Sequence, residues 1–144
     1  MAVTYTNNWK NILTAVKSKI RAEMKCPVYS GWDEQNKSNQ FIRIIPVGSS
    51  QLEKATFMEV REFEMECQYY FLRRKDANFQ NYVLNQVSIL EALVHDNITL
   101  TLADSTKAVD VTLGTLDLDV EIEDYEDYFV AQWTLNCTHF GNTA

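Results

Sequence analysis

Residues 57–73 read Phe-Met-Glu-Val-Arg-Glu-Phe-Glu-Met-Glu-Cys-Gln-Tyr-Tyr-Phe-Leu-Arg, and this stretch decides the fold. Phe63, Met65, Cys67, Tyr69 and Phe71 alternate with Glu64, Glu66, Gln68, Tyr70 and Leu72. A period of two separates side chains onto two faces only in an extended strand. Met58 and Val60 fall on the opposite phase, which places a bulge near Arg61-Glu62. Upstream, Phe41 to Val47 is a buried-strand candidate interrupted by Pro46. A proline cannot donate to a ladder, so this strand lies at an edge or ends there. Polar stretches flank it, at residues 33–40 and 48–56, and both read as loops. Val28 to Trp32 is a short strand candidate.

Two helices bracket these strands. Trp9, Ile12, Leu13, Val16, Ile20 and Met24 follow helical spacing after an Asn7 or Asn8 cap, and Pro27 stops the run. Phe79, Tyr82, Val83, Gln86, Val87, Leu90, Leu93 and Val94 repeat the pattern, from Asp76 or Asn78 to Asp96-Asn97. Beyond them the chain returns to alternation: Ile98 to Leu102, then Val109 to Leu113, with Gly114 breaking the run. Leu116, Leu118, Val120 and Ile122 form one face of a further strand, and Phe129 to Cys137 form a last one.

Strand and helix do not alternate regularly, which disfavours a doubly wound parallel sheet. The expected fold is α+β, a mostly antiparallel sheet with two helices packed on one face. One domain spans residues 1–144, with residues 1–6 and 141–144 as mobile tails. A hydrophobic share of 46% against 23% charged residues is that of an ordinary folded chain. Gly 4 and Pro 2 exclude a collagenous or low-complexity chain.

Net charge is -7, which argues against a free-standing nucleic-acid binder or a protein held on an anionic membrane. The short basic run Arg73-Arg74-Lys75 reads as a solvated loop. Cys26, Cys67 and Cys137 are odd in number and form no CxxC pair, so they read as reduced thiols in a cytosolic setting. The four glycines are isolated and make no phosphate loop. His95 closes a helix, and Cys137 with His139 lacks the further ligands a metal site needs. No catalytic, cofactor or metal constellation emerges, and no enzyme activity is expected.

The most distinctive feature is acidic. Asp117, Asp119, Glu121 and Glu123 share one face of the expected strand, and Asp124, Glu126 and Asp127 follow in a turn. As an edge strand, such a face deters unwanted pairing.

The element order, the long aromatic-rich strand running through a charged loop into Phe79-Gln80-Asn81-Tyr82-Val83-Leu84-Asn85-Gln86, and the closing Asp124-Tyr125-Glu126-Asp127-Tyr128-Phe129-Val130-Ala131 resemble tail terminator proteins of long-tailed bacteriophages. Related tail-completion and neck proteins share this texture. The resemblance covers about residues 5–140. It implies a structural virion protein of the tail and neck, assembled in the host cytoplasm, that forms a ring of typically six subunits on the head-proximal end of the tail tube. Its partners would be itself, the tail tube protein and a neck or head-tail connector protein, with DNA only in transit. Docking would fall to the two polar loops, at Asp33, Glu34, Lys37, Ser49, Gln51 and Glu53. The acidic residues 117–127 would line the lumen or a ring face, where carboxylates repel phosphate. The alternatives are another head-tail connector protein and a small ligand-binding α+β domain.

Overall fold

The computed structural model describes residues 6–30, 38–54 and 59–141. Helix α1, Asn8–Met24, buries Ile12, Val16, Ile20 and Met24, a four-residue repeat that makes one apolar stripe. Asn7 caps it: its side-chain oxygen accepts the Lys10 amide at 3.0 Å. The helix stops before Pro27 is reached. Lys25 turns left-handed at φ 56 and donates its amide to the Arg21 carbonyl, the usual αL closure with a lysine where glycine is commonest.

The strands are β1 (Val28–Ser30), β2 (Gln40–Lys54) and β3 (Glu59–Leu72), then, after helix α2 (Phe79–Asp96), β4 (Leu100–Thr101), β5 (Lys107–Leu118) and β6 (Tyr128–Gly141). They form one sheet in the order β1-β2-β3-β6-β5-β4. The class is α+β, but the sheet is mixed: β1 runs parallel to β2, and every other neighbouring pair is antiparallel. A three-residue strand spans only about 10 Å, so the short connection from Ser30 to Gln40 suffices for a parallel return. Gly141, expected in a tail, pairs with Glu59 at the end of β6.

Two strand assignments need correction, and a third resolves to one of its alternatives. β3 is regular along its pairing with β6, with no bulge at Arg61-Glu62. The irregularities lie across the pair, in β2, between Pro46 and Gly48 and between Gln51 and Glu53. Val60 is on the opposite phase because it belongs to the other face of one unbroken strand. Pro46 does not end β2 but lies at an edge, the other of the two positions open to it. The Ile42 amide points outward to the Pro27 carbonyl at 2.9 Å, so by alternation the missing Pro46 amide points to the same side, beyond the residues β1 covers. Gly114 likewise does not end β5; it sits in one of two irregular stretches of a strand that continues to Leu118.

Both helices cover one face. Ile42, Ile44, Phe63, Met65, Cys67, Tyr69, Phe71, Trp133 and Leu135 meet α1 and the buried side of α2, Val83, Val87, Leu90 and Val94. A second, smaller core lies on the opposite face: Phe41, Tyr70, Tyr125, Tyr128 and Val130, with Phe41 and Tyr70 stacked at 4.5 Å.

Two substitutions check this framework in urea unfolding. Leu90→Ala empties a fully buried site at the α2–sheet contact and is expected to cost about 2–5 kcal/mol. Lys25→Gly relieves the left-handed cap and is expected to stabilise by roughly 1 kcal/mol.

Candidate functional site

The acidic segment is built differently from the strand expected of it. β5 ends at Leu118, and Asp119 takes φ 57, which turns the chain out of the sheet. One sheet-like bond remains, from the Val120 amide to the Val130 carbonyl at 3.0 Å. Two turns follow, closed by Tyr125 N–H to Ile122 and Tyr128 N–H to Tyr125, with Asp124 at φ 70. Asp117, Asp119, Glu121 and Glu123 therefore do not share a strand face. Alternation holds only over residues 119–123: Val120 and Ile122, and Tyr125 three residues on, turn inward onto the second core, Leu118 is exposed, and Asp117, Asp119, Glu121, Glu123, Asp124, Glu126 and Asp127 are all exposed.

These seven carboxylates account for the whole net charge: the rest of the chain holds thirteen acidic and thirteen basic residues. The segment is fastened at its root by Arg73. Its guanidinium pairs with Asp119, its amide donates to the Asp127 carbonyl at 3.0 Å, and its cation lies 5.9 Å from the Phe129 ring centre. Both partners of the ion pair are about half exposed, so it contributes at most about 1 kcal/mol. Arg74 sits over the Phe79 and Tyr82 rings at 5.5 and 5.1 Å. The basic run is exposed as expected, but both arginines are held by aromatic faces rather than waving in solvent.

The second set of expected site residues is divided. Asp33, Glu34 and Lys37 lie outside the described residues. Ser49, Gln51 and Glu53 are not in a loop; they lie on β2 opposite Phe63, Arg61 and Val60. Their polarity reflects exposed strand positions with cross-strand partners. Arg61 donates to the Ser49 hydroxyl at 3.1 Å and Gln51 donates to Glu59 at 2.7 Å. Arg61 and Glu59 pair at 3.0 Å, and that bond holds the Glu59 carboxyl below its ordinary range.

Three polar clusters escaped the sequence reading because their members are distant in the chain. On the second-core face, Arg43 donates to the Tyr70 hydroxyl at 3.3 Å, Tyr70 to Gln68 at 2.6 Å, and Gln68 to Gln132 at 3.0 Å, a line across β2, β3 and β6. Between the helices and the sheet, Gln40 donates to Tyr69, Tyr69 to Gln86, and Tyr82 to Gln40. At the β4–β5 turn, Thr106 donates to Asp104 at 2.5 Å and meets His139 Nε2 at 2.9 Å. The Thr106 proton is given to Asp104, so its oxygen accepts from the neutral imidazole.

The Cys67 and Cys137 thiols are pushed up to about 12 by burial, far from thiolate formation. Among the described residues no three potential metal ligands gather, and no helix is long and apolar enough to cross a membrane. Two of the open grooves are lined by exposed apolar side chains. One, of about 500 Å³, runs between α1 and β2 along Trp9, Lys10, Leu13, Pro46 and Val47. The other, of about 340 Å³, lies between α2 and the end of β5 along Phe79, Leu84, Leu118 and Phe129.

No family model matches the sequence, and no curated protein does. The fold is nevertheless shared. A chain from the virion of a native gene transfer agent particle superposes with a TM-score of 0.66 at 13% identity, covering 92% of this chain and 97% of the other. A second solved chain, of no stated function, matches at a TM-score of 0.57 and 10% identity, over 96% and 99%.

The His139 contact gives a pH test. Burial lowers its pKa below the ordinary 6.5, with Asp104 opposing. A depressed folded pKa means that the unfolded chain binds the proton first. Its contribution is therefore complete above about pH 6.5 and lost as pH falls toward the folded value. His139→Gln is expected to flatten this part of a melting-temperature profile between pH 7 and 5, relative to the parent chain.

Proposed function

We propose that the chain is a structural component of a phage-like virion, acting as a tail terminator: a ring on the head-proximal end of the tail tube that stops tube growth and joins the neck. The observation that carries this reading is the likeness to a gene transfer agent virion chain, which spans nearly the full length of both partners. The element order and the segments 79–86 and 124–131 support it from the sequence side. So does the chemistry of the surface. A subunit through which DNA must slide needs carboxylates at the passage, since Lys and Arg contacts would release counterions and hold the phosphates. On this reading the seven carboxylates between Asp117 and Asp127, all exposed, supply them at the lumen or on the ring face.

The reading makes the protein a non-enzyme whose partners are further copies of itself, the tail tube and a neck or connector protein. Another connector of the head-tail junction is the neighbouring alternative. Electron microscopy of the chain mixed with tail tubes and with filled heads separates the two. Decoration of tube ends is the expected result; decoration of heads alone would reassign the chain to the connector.

Assembly brings together subunits of charge -7, whose repulsion salt screens over about 10 Å at 0.1 M. Sedimentation should show a larger ring fraction at moderate ionic strength than at very low salt. Stronger association at low salt would contradict the expected balance.

A further inference from the structure

Both helices lie on one face of the sheet. On the other face the second core covers the end around Phe41, Tyr70 and Val130. Past Gln68 that same face of β3 carries Glu66, Glu64 and Glu62 in succession, opposite Thr134, Asn136 and Thr138 of β6. Glu64 is exposed and the other five are half-buried. No ion pair among the described residues includes any of the three carboxylates. Phe140, 46% exposed, pairs with Val60 just beyond Glu62 and adds apolar area. Within the described strands two cations share this face: Arg43, set in the second core against Tyr70 and Tyr125, and Lys107, opposite Phe140.

The complement sits on the far side of the molecule. Helix α1 holds four cations and one acid. Lys10, Lys17 and Arg21 fall within about 40° of one another around its axis, while Glu23 lies on the other flank. Lys10 and Arg21 are exposed, Lys17 is half-buried, and none of the three belongs to an ion pair among the described residues. This stripe is about 16 Å long, and the glutamate row spans about 14 Å.

We propose that the Lys10, Lys17 and Arg21 flank of α1 in one copy docks across the Glu62, Glu64 and Glu66 row of a second copy. The chain itself carries both halves of the match, each unpaired at home and on opposite sides of the sheet. The contact rests on the reading of the chain as a ring subunit and deepens it by naming both patches of a head-to-tail interface. It uses none of the carboxylates from Asp117 to Asp127, which lie beyond Gln132 toward the Tyr70 end. Two rows, or two stripes, repel each other, so the charges also select head-to-tail over two-fold pairing. Repulsion between the net charges acts over longer distances and is screened first, whereas charges paired inside a contact are screened much less.

The test exchanges the charges in two full-length variants. Lys10→Glu, Lys17→Glu and Arg21→Glu reverse the stripe; Glu62→Lys, Glu64→Lys and Glu66→Lys reverse the row. Sedimentation velocity at moderate salt compares the parent, each variant and their equimolar mixture. The parent should self-associate, and each variant alone should do so at least about tenfold more weakly. The mixture should recover parental association, because alternating copies face unlike charges at every contact. Net charge alone predicts otherwise: the row variant, close to neutral, would associate more strongly than the parent at -7.

A parent that stays monomeric at its highest soluble concentration overturns the proposal. So does either variant associating like the parent or better, or a mixture that does not recover. Thermal melts show whether each variant is folded. If one is not, Lys10→Gln, Lys17→Gln and Arg21→Gln, or Glu62→Gln, Glu64→Gln and Glu66→Gln, replace the reversal, and association weakened about tenfold is still required. Variants that close into parental rings on tube ends refute this contact alone and leave the virion reading standing. Recovery in the mixture by a chain that decorates neither tubes nor heads upholds the contact and removes the terminator reading.

Discussion

Three consecutive aromatic residues, Tyr69, Tyr70 and Phe71, are all buried on one strand, and a strand cannot bury adjacent side chains on a single face. Both faces of the sheet must therefore be covered at that level. On one side α1 and α2 do it, meeting Tyr69 and Phe71. On the other no helix is available among the described residues, and the task falls to the segment between β5 and β6 and the first residue of β6, which lay Tyr125 and Tyr128 against Tyr70 and Phe41. The Tyr128 hydroxyl then reaches the Ser38 carbonyl at 2.8 Å and ties this cover to the approach to β2. The position of the acidic residues follows from that demand. They ride outward on a segment whose tyrosines and aliphatic residues are held down.

Elements whose periodicity is unmixed were legible in the sequence. The two helices came out with their buried stripes, because an i, i+4 repeat of aliphatic residues admits one solution; α1 also has its Asn7 cap, whereas Asn78 makes no side-chain capping bond at the start of α2. β3 and β6 were legible from strict alternation, and Cys67 and Cys137 fell in their buried rows as expected. β2 was read only in part, since a polar run after a proline looks like a loop. Its outer half is strand because Ser49 and Gln51 find partners in Arg61 and Glu59 across the ladder, and a partner distant in sequence leaves no local signal. The parallel placement of β1 was equally invisible, being fixed by where α1 delivers Val28.

The acidic run shows how a correct pattern can carry a wrong geometry. Its charged residues do face outward and Val120, Ile122 and Tyr125 inward, although Leu118 is left exposed. They do so through left-handed residues at Asp119 and Asp124, which composition permits but does not announce, since Asp tolerates that region better than most residues. The candidate surface was thus identified by residue and misdescribed in shape. The polar clusters around Arg43, Tyr69 and His139 were not identified at all. The first two each join three elements and the third joins the β4–β5 turn to β6, so only the completed topology brings their members within hydrogen-bonding distance.

The pairing of β3 with β6 carries a consequence for biosynthesis. β3 leaves the ribosome with α2, β4 and β5 still to come, and its partner begins at Tyr128. Until then one side of the aromatic row 69–71 has no neighbour, and the β2–β3 hairpin is a bare apolar edge. Loop closure over that separation is slow, and sheets with such non-local pairing fold in roughly milliseconds to seconds. The nascent chain therefore passes through a long interval in which its stickiest strand is exposed. Whatever attends its synthesis must shelter that edge until the last strand seals it.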